Sequence, residues 1–373
     1  MNGGHDEGTS RARLLLCTPR FAPQVGGAET WTREICRGLA ALGHEVSVVS
    51  RGGAGLPARD HLDTIDVTRV QGGRLGFARA VRARIRADRP DAVLAQYSAL
   101  PAATLAARRA GIPCIGIVHD VYGVAESVRI KGPVKGLART MGLEQWMRLL
   151  APDALLVPST ATATRLAGLV SRRPITVVPA GADHLAPVEP GPRNGDQLVF
   201  VGRLVPQKGV SDIIDAVALV NERGGRCRVL IIGEGPERPA LEEQARALGD
   251  ALRFAGSVSD AELDRAIGAS LALILPSRRE GWGLAVTEAA SRGTPYIAYD
   301  IPAVREQHER LQGGLLVAPG ARPLATAIEE LLDDPALARR LGDHGRAVAE
   351  TMTWAGAAAV VDRTITTVIG RAR

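Results

Sequence analysis

Residues 279–295 read REGWGLAVTEAASRGTP, with two carboxylates, Glu280 and Glu288, separated by seven residues. Gly281-Trp282-Gly283 follows the first acid, and the second sits one turn into an apolar stretch that reads as a helix stopped by Gly293 and Pro295. Backbone N–H groups at Gly283 and Leu284 would open that helix and could hold an anion. Two acids beside an anion site repel a phosphate unless they are aimed at hydroxyls. The ligand such a loop fits has an anion in its middle and hydroxyls at both ends, as a nucleotide-sugar has.

Two cations stand in a similar context. In VGRLVPQKGV (201–210), Arg203 directly follows an apolar run and Lys208 precedes the next helical pattern. A pair of cations there suits a diphosphate, and neither has an acidic neighbour in sequence. Gly26 and Gly27 stand before a helical stretch, where a backbone without side chains can approach a phosphate or sugar closely. His119 ends the run CIGIV and could donate a hydrogen bond to a sugar hydroxyl or stabilise developing charge. GEGPER (233–238) lacks the third glycine of a dinucleotide fingerprint and reads as a structural turn.

These residues need elements to carry them. Short apolar runs at 14–17, 46–50, 92–95, 114–118, 154–158 and 175–179 alternate with helical patterns such as 28–43. That is the pattern of buried parallel strands in a doubly wound α/β sheet. Residues 179–196 are rich in Pro, Gly and charge and read as a linker. The alternation restarts with runs at 198–202, 228–233, 252–256, 271–276, 295–299 and 314–319. A helical segment, 353–370, is left over after the second sheet. We therefore expect two Rossmann-like domains facing across a cleft, 1–185 with the return of 353–373, and 186–352. In open sheets of this kind ligands bind beyond the carboxyl ends of the strands, where the residues named above fall.

Composition narrows the classes. The chain of 373 residues is 46% hydrophobic but only 3% aromatic, which fits aliphatic α/β cores and weakens the case for aromatic platforms that stack nucleic-acid bases. The net charge of +6 divides into +9 for residues 1–195 and −3 for the remainder. Four cysteines show neither zinc spacing nor a disulfide framework. No apolar run reaches the ~18–20 residues of a membrane span, so a cytoplasmic protein is expected. Residues 127–150 mix Arg129, Lys131, Lys135, Arg139 and Arg148 with Val134, Leu137, Met141, Trp146 and Leu150. Such a stretch suits peripheral docking to an anionic membrane or a basic acceptor groove.

With GGAET, VGRLVPQKG, GEGP, REGWGLAVTEAASRGTP and GGLLVAPG in one chain, the sequence resembles the family-four retaining glycosyltransferases of the GT-B fold, whose E-x7-E motif Glu280 and Glu288 match. The resemblance covers nearly the whole chain. It implies that Arg203 and Lys208 bind the donor diphosphate and stabilise it as a leaving group. It implies that Glu280 touches the donor sugar, Glu288 the nucleotide ribose, and Gly283 and Leu284 the phosphate, with Gly281 and Trp282 in the same donor loop. His119 would lie beside the transferred sugar, the Gly26–Gly27 loop would close over donor and acceptor, and backbone around Gly256–Val258 would contact the base.

The implied reaction keeps the anomeric configuration and needs no metal or other cofactor. The co-substrate is a nucleoside-diphosphate sugar, and the acceptor is a glycan or lipid-linked hydroxyl in glycan, glycolipid or cell-envelope polysaccharide assembly. Gly313 stands where the family commonly has Asn, and Ala321 where it commonly has an acid. Two other readings stand beside this one. A non-catalytic nucleotide-sugar binder would share the same residues. An NAD-dependent oxidoreductase would want an intact GxGxxG after the first strand, where this chain has TPRFAPQVGGAE.

Overall fold

A computed structural model describes residues 11–24, 26–53, 55–121, 146, 151–170, 173–185 and 194–372. The chain divides into two compact units, 1–179 with 354–373, and 180–353.

The first unit is built on an eight-stranded sheet of order β3-β4-β2-β1-β5-β6-β7-β8. Its strands are β1 (Arg13–Cys17), β2 (Glu45–Arg51), β3 (Arg59–Leu62), β4 (Ile65–Val70), β5 (Ala92–Gln96), β6 (Cys114–Ile117), β7 (Ala154–Val157) and β8 (Ile175–Val177). The helices that cover it are α1 (Gly27–Ala41), α2 (Arg74–Asp88), α3 (Leu100–Ala110) and α4 (Thr160–Ala167). The central strands β1, β5, β6 and β7 are parallel and almost wholly buried. This is why they read as continuous apolar runs rather than alternating ones. The antiparallel pair β3–β4 at one edge departs from the alternation expected of the chain. Its strands RDHL and IDVTRV bury one face only, so they form no continuous apolar run.

The second unit holds a wholly parallel six-stranded sheet of order β11-β10-β9-β12-β13-β14. Its strands are β9 (Asn194–Val201), β10 (Arg228–Ile232), β11 (Leu252–Gly256), β12 (Ser270–Leu275), β13 (Tyr296–Tyr299) and β14 (Gly314–Val317). The helices are α5 (Val210–Glu222), α6 (Arg238–Ala245), α7 (Asp260–Ala269), α8 (Leu284–Ser291), α9 (Pro302–Leu311), α10 (Ala321–Asp333) and α11 (Pro335–Ala349). Largely aliphatic clusters fill both faces of the sheet: Val217, Ile213 and Ile328 lie on one, Val286, Leu311 and Val304 on the other. A Cβ on Gly313 would stand 2.7 Å from the Cα of Gly345, so glycine at that position lets α11 cross the start of β14 closely.

The last helix, α12 (Trp354–Ala372), belongs to the first unit and packs on α1. A side chain at Gly38 would collide with Ala358. At the end of α1, His44 accepts the Ala12 N–H on Nδ1 at 3.2 Å and therefore carries its proton on Nε2, which donates to Asp362 Oδ1 at 2.9 Å. Both side chains are buried, so the pair ties α12 to the first unit.

The boundary falls between Pro179 and Ala180, six residues before the expected one. Residues 180–185 are not a loose linker. Ala180, Ala182 and Leu185 are buried, and the Ala182 N–H donates to the Met352 carbonyl at 2.7 Å. Of the basic stretch 127–150, only Trp146 lies within the described residues, and it packs against the first unit's apolar clusters. That indole is taken up by the core.

Candidate functional site

In the second unit, β9 and β12 are neighbouring parallel strands, so the loops at their carboxyl ends emerge side by side. After β9 come Gly202, Arg203, the buried anchor Leu204 and a single 3-10 turn, Pro206–Lys208. After β12 come Pro276 to Gly283, leading into α8. The Arg278 N–H donates to the Gln207 carbonyl at 2.9 Å and stitches the two loops together.

Lys208 Nζ donates to Glu280 Oε1 at 2.5 Å, and both side chains are mostly buried. The acid that sequence did not supply near Lys208 thus comes from the adjacent loop, 72 residues on. An ammonium group has three N–H donors. One goes to Glu280, and two remain for a further anion. Arg203 is exposed and has no ion-pair partner among the described residues. Arg278 is held by Asp212 at 2.7 Å. Asp212 also accepts from the Tyr299 hydroxyl at 2.6 Å, and burial, with that hydrogen bond, pushes the Tyr299 phenol well above its ordinary range. Tyr299 therefore stays protonated and remains a donor.

Gly283 caps α8 with φ 103° and ψ 56°, a conformation side chains rarely adopt, and no side chain caps the helix. The first-turn N–H groups of α8 thus open beside the Lys208–Glu280 pair's own loop. Trp282 is not a wall of this loop. It is buried, and its Nε1–H donates to Thr287 Oγ1 at 3.0 Å, where Gln307 Nε2 also donates at 2.5 Å. The indole is an inward anchor, so its place in a donor site is to hold the turn. Gly281 is half-buried in the same turn, and Leu284 is half-buried at the first position of α8.

Glu288, on the second turn of α8, is buried and accepts a hydrogen bond from His184 Nε2 at 3.0 Å. Sequence reading missed His184 because Pro and Gly dominate its surroundings. The small apolar residues beside it, Ala180, Ala182 and Leu185, were the available sign. Gly256 ends β11 beneath Glu234 and Arg238, and Val258 packs half-buried against the second unit's core. Any base contact there would therefore be made by backbone. GEGPER is a structural turn: side chains at Gly233 and Gly235 would collide with the carbonyls of Gly202 and Leu204.

The first unit carries its own cluster at the carboxyl ends of β1, β5 and β6. Thr18 Oγ1 donates to the Arg20 carbonyl at 2.8 Å, and Thr32 Oγ1 donates to the Ala28 carbonyl at 2.6 Å. With their protons so engaged, both hydroxyls accept from Gln96 Nε2, at 2.5 and 3.2 Å. That orients the Gln96 amide with Oε1 toward His119 Nε2, 3.0 Å away. His119 Nε2 therefore bears the proton and donates a hydrogen bond to Gln96 Oε1, so in this structure that nitrogen is engaged within the first unit. Trp31 stands edge-on to the ring, with centroids 5.2 Å apart.

Gly26 precedes α1, which begins at Gly27. The Glu29 carboxylate, paired with Arg20 at 2.6 Å, lies against Gly26. An acid in the first turn already complements the α1 dipole, so this loop suits hydroxyls better than a second anion.

Burial pushes the His119 imidazole down to about 4 from 6.5, so it is neutral at physiological pH. Below pH 6.5 the unfolded chain then binds a proton that the folded one refuses. Stability is full above that pH and falls as pH drops toward 4, by about 3 kcal/mol. Urea midpoints of wild type and His119→Gln across this range check it: the variant's slope should be shallower, and parallel slopes would refute it.

Comparison with known proteins decides the family. Residues 25–184 match the model "Glycosyltransferase Family 4", and residues 186–348 match "Glycosyl transferases group 1". A glycogen synthase of Mycobacterium tuberculosis is 30% identical over 382 residues, covering 91% of this chain and 90% of that protein. The chain belongs to glycosyltransferase family four. This glycosyltransferase has the GT-B fold. A sucrose-phosphate synthase from Thermosynechococcus elongatus superposes with TM-score 0.84 at 22% identity, covering 97% of this chain and all of that one. Anabaena HepE in complex with UDP-glucose superposes at 0.77 and 18% identity, over 96% and 100% of the two chains. The dehydrogenase reading falls away with the family assignment. Among the described residues of the glycosyltransferase, no helix is long and apolar enough to cross a membrane.

Proposed function

We propose that this glycosyltransferase moves a hexose-type sugar from a nucleoside-diphosphate sugar to an acceptor hydroxyl, with retention of configuration and without a metal. The observation that carries the reading is the union, on the loops after β9 and β12, of Lys208, Glu280, the open first turn of α8 and Glu288. Lys208 and Arg203 take the diphosphate, joined by the Gly283 and Leu284 N–H groups. Together they stabilise the charge that develops as the glycosidic bond breaks. Glu280, held by Lys208, faces the donor sugar, and Glu288 takes the ribose.

The acceptor attacks from the face the phosphate leaves, and its proton passes to that phosphate. The two cations, Lys208 held by Glu280 and Arg203 exposed beside it, supply the neutralisation a metal would otherwise give. His119 contributes a neutral ring held in place by Gln96, and the Gly26–Gly27 loop contributes close approach. The acceptor in this reading is a glycan or a lipid-linked hydroxyl of cell-envelope assembly. The reaction is cytoplasmic, with peripheral contact to an anionic membrane through 127–150.

A thermal-shift panel with UDP, GDP, ADP, CMP and NAD tests the donor half of the reading, because a ligand raises the melting temperature by mass action. At a hundredfold excess over Kd the stabilisation is about 2.7 kcal/mol. The expected result is a shift with a nucleoside diphosphate, lost in Glu288→Ala. A shift with NAD alone would refute the transferase reading, and an intact shift in the variant would remove Glu288 from the donor site.

A further inference from the structure

The Glu288 carboxylate pairs with His184, which comes from outside the loops that follow the strands. His184 lies on the short stretch by which the chain enters the second unit, 104 residues from Glu288 in sequence. The two side chains are 3% and 9% exposed. An ionised carboxylate only accepts hydrogen bonds, so the nitrogen facing it, His184 Nε2, must carry a proton whatever the other ring nitrogen does. His184 is itself on fixed backbone. Ala180, Ala182 and Leu185 around it are buried, and the Ala182 N–H is bonded to the Met352 carbonyl at 2.7 Å.

We propose that His184 is a positioning residue for Glu288: it fixes one carboxylate oxygen so that the group presents itself to the two adjacent hydroxyls of a nucleotide ribose. This deepens the donor-site reading above and rests on it. A ribose offers two neighbouring O–H donors, and a carboxylate has about four acceptor sites. With Oε1 anchored by His184, the carboxylate plane is set, and Oε2 together with the remaining lone pair of Oε1 can take both hydroxyls. Without the anchor the Glu288 side chain gains rotamer freedom, which ribose binding must then remove. The partner is well suited chemically. Lysine or arginine would compete for the carboxylate's other acceptor sites through several donors, whereas this imidazole nitrogen offers a single N–H.

The test is a set of dissociation constants by isothermal titration calorimetry. UDP, GDP and ADP are each compared with their 2′,3′-dideoxy forms on wild type, Glu288→Ala, His184→Ala and His184→Gln. The readout is the ratio of dideoxy to ribose Kd, which a general loss of folding does not move selectively. The ratio should be large in wild type for the nucleotide that binds and near one in Glu288→Ala. It should fall about tenfold in His184→Ala, the scale of one hydrogen bond to a charged group. His184→Gln, which restores an N–H donor, should recover most of it. If His184→Ala weakens both forms equally, or leaves the ratio untouched while Glu288→Ala abolishes it, His184 is only structural and the inference is overturned. If Glu288→Ala itself keeps the ratio, the ribose assignment of Glu288 is wrong. If wild type binds none of the three, the donor reading as a whole is wrong; in both of those cases the inference falls with it.

Discussion

Lys208→Ala should lower kcat/KM about 10²–10³-fold, measured as release of the nucleoside diphosphate, the scale of one lost preorganised donor to developing charge. The loss should exceed that of a simple missing cation, because Glu280 sits 2.5 Å from the Lys208 ammonium and would be left unpaired and mostly buried. An uncompensated carboxylate beside an incoming diphosphate repels it. Glu280→Gln removes that repulsion as well as Glu280's own contact with the sugar. The double variant should therefore be much less impaired than the product of the two single losses. A coupling of about 1–3 kcal/mol is expected for residues in direct contact. Four kcat/KM values suffice to measure it. Strict additivity would mean that the two groups act independently and that their pairing has no part in donor turnover.

The second large effect is on stability. Gly233→Ala should cost about 3–5 kcal/mol, the sum of backbone strain and overpacking against a rigid neighbour. Gly233 has φ 135°, and a Cβ there would collide with the Gly202 carbonyl oxygen. The neighbour cannot give way cheaply. The Gly202 N–H is bonded to the Ile232 carbonyl at 3.0 Å, the Gly233 N–H to the Gly256 carbonyl at 2.8 Å and the Leu204 N–H to the Glu234 carbonyl at 2.9 Å. Relief of the clash moves Gly202 and with it Arg203, so donor affinity should fall alongside stability. Gly111→Ala is the control. It also has positive φ, 67° with ψ 26°, the ordinary left-handed well, but no atom lies within 4 Å of the added carbon, and it should cost about 1–2 kcal/mol. Equal denaturation midpoints for the two variants would show that crowding at Gly233 has been misjudged.

The parts of this molecule that sequence reveals are those whose burial is one-dimensional. LLLC, AVLA and LALILP sit in the middle of parallel sheets, covered on both faces, and such strands are apolar along their whole length. The edge pair β3–β4 escapes because half of each strand faces water. The candidate site divides in the same manner. Glycines, acids and cations at strand ends are visible as residue types in a pattern. What they touch is not, since Lys208 meets Glu280 and Glu288 meets His184 only through pairings that the sheet order creates. Trp282 looks like a donor contact because it lies between two glycines, yet its N–H turns inward to Thr287. For His119 the decisive fact is a proton position, set by two threonine hydroxyls and an amide from separate elements.

Residues 180–353 form the second unit as one uninterrupted stretch, whereas the first unit is complete only with α12. During synthesis from the amino end, the second unit therefore has all its strands and helices before the first can bring α12 against α1 and close the buried His44–Asp362 pair. Until then Gly38 and its neighbours on α1 present to water the surface that Ala358 will cover. The portion of the polypeptide that emerges first is thus the last to be finished, and a nascent chain halted before Trp354 would carry a folded second unit beside a first one still lacking its final helix.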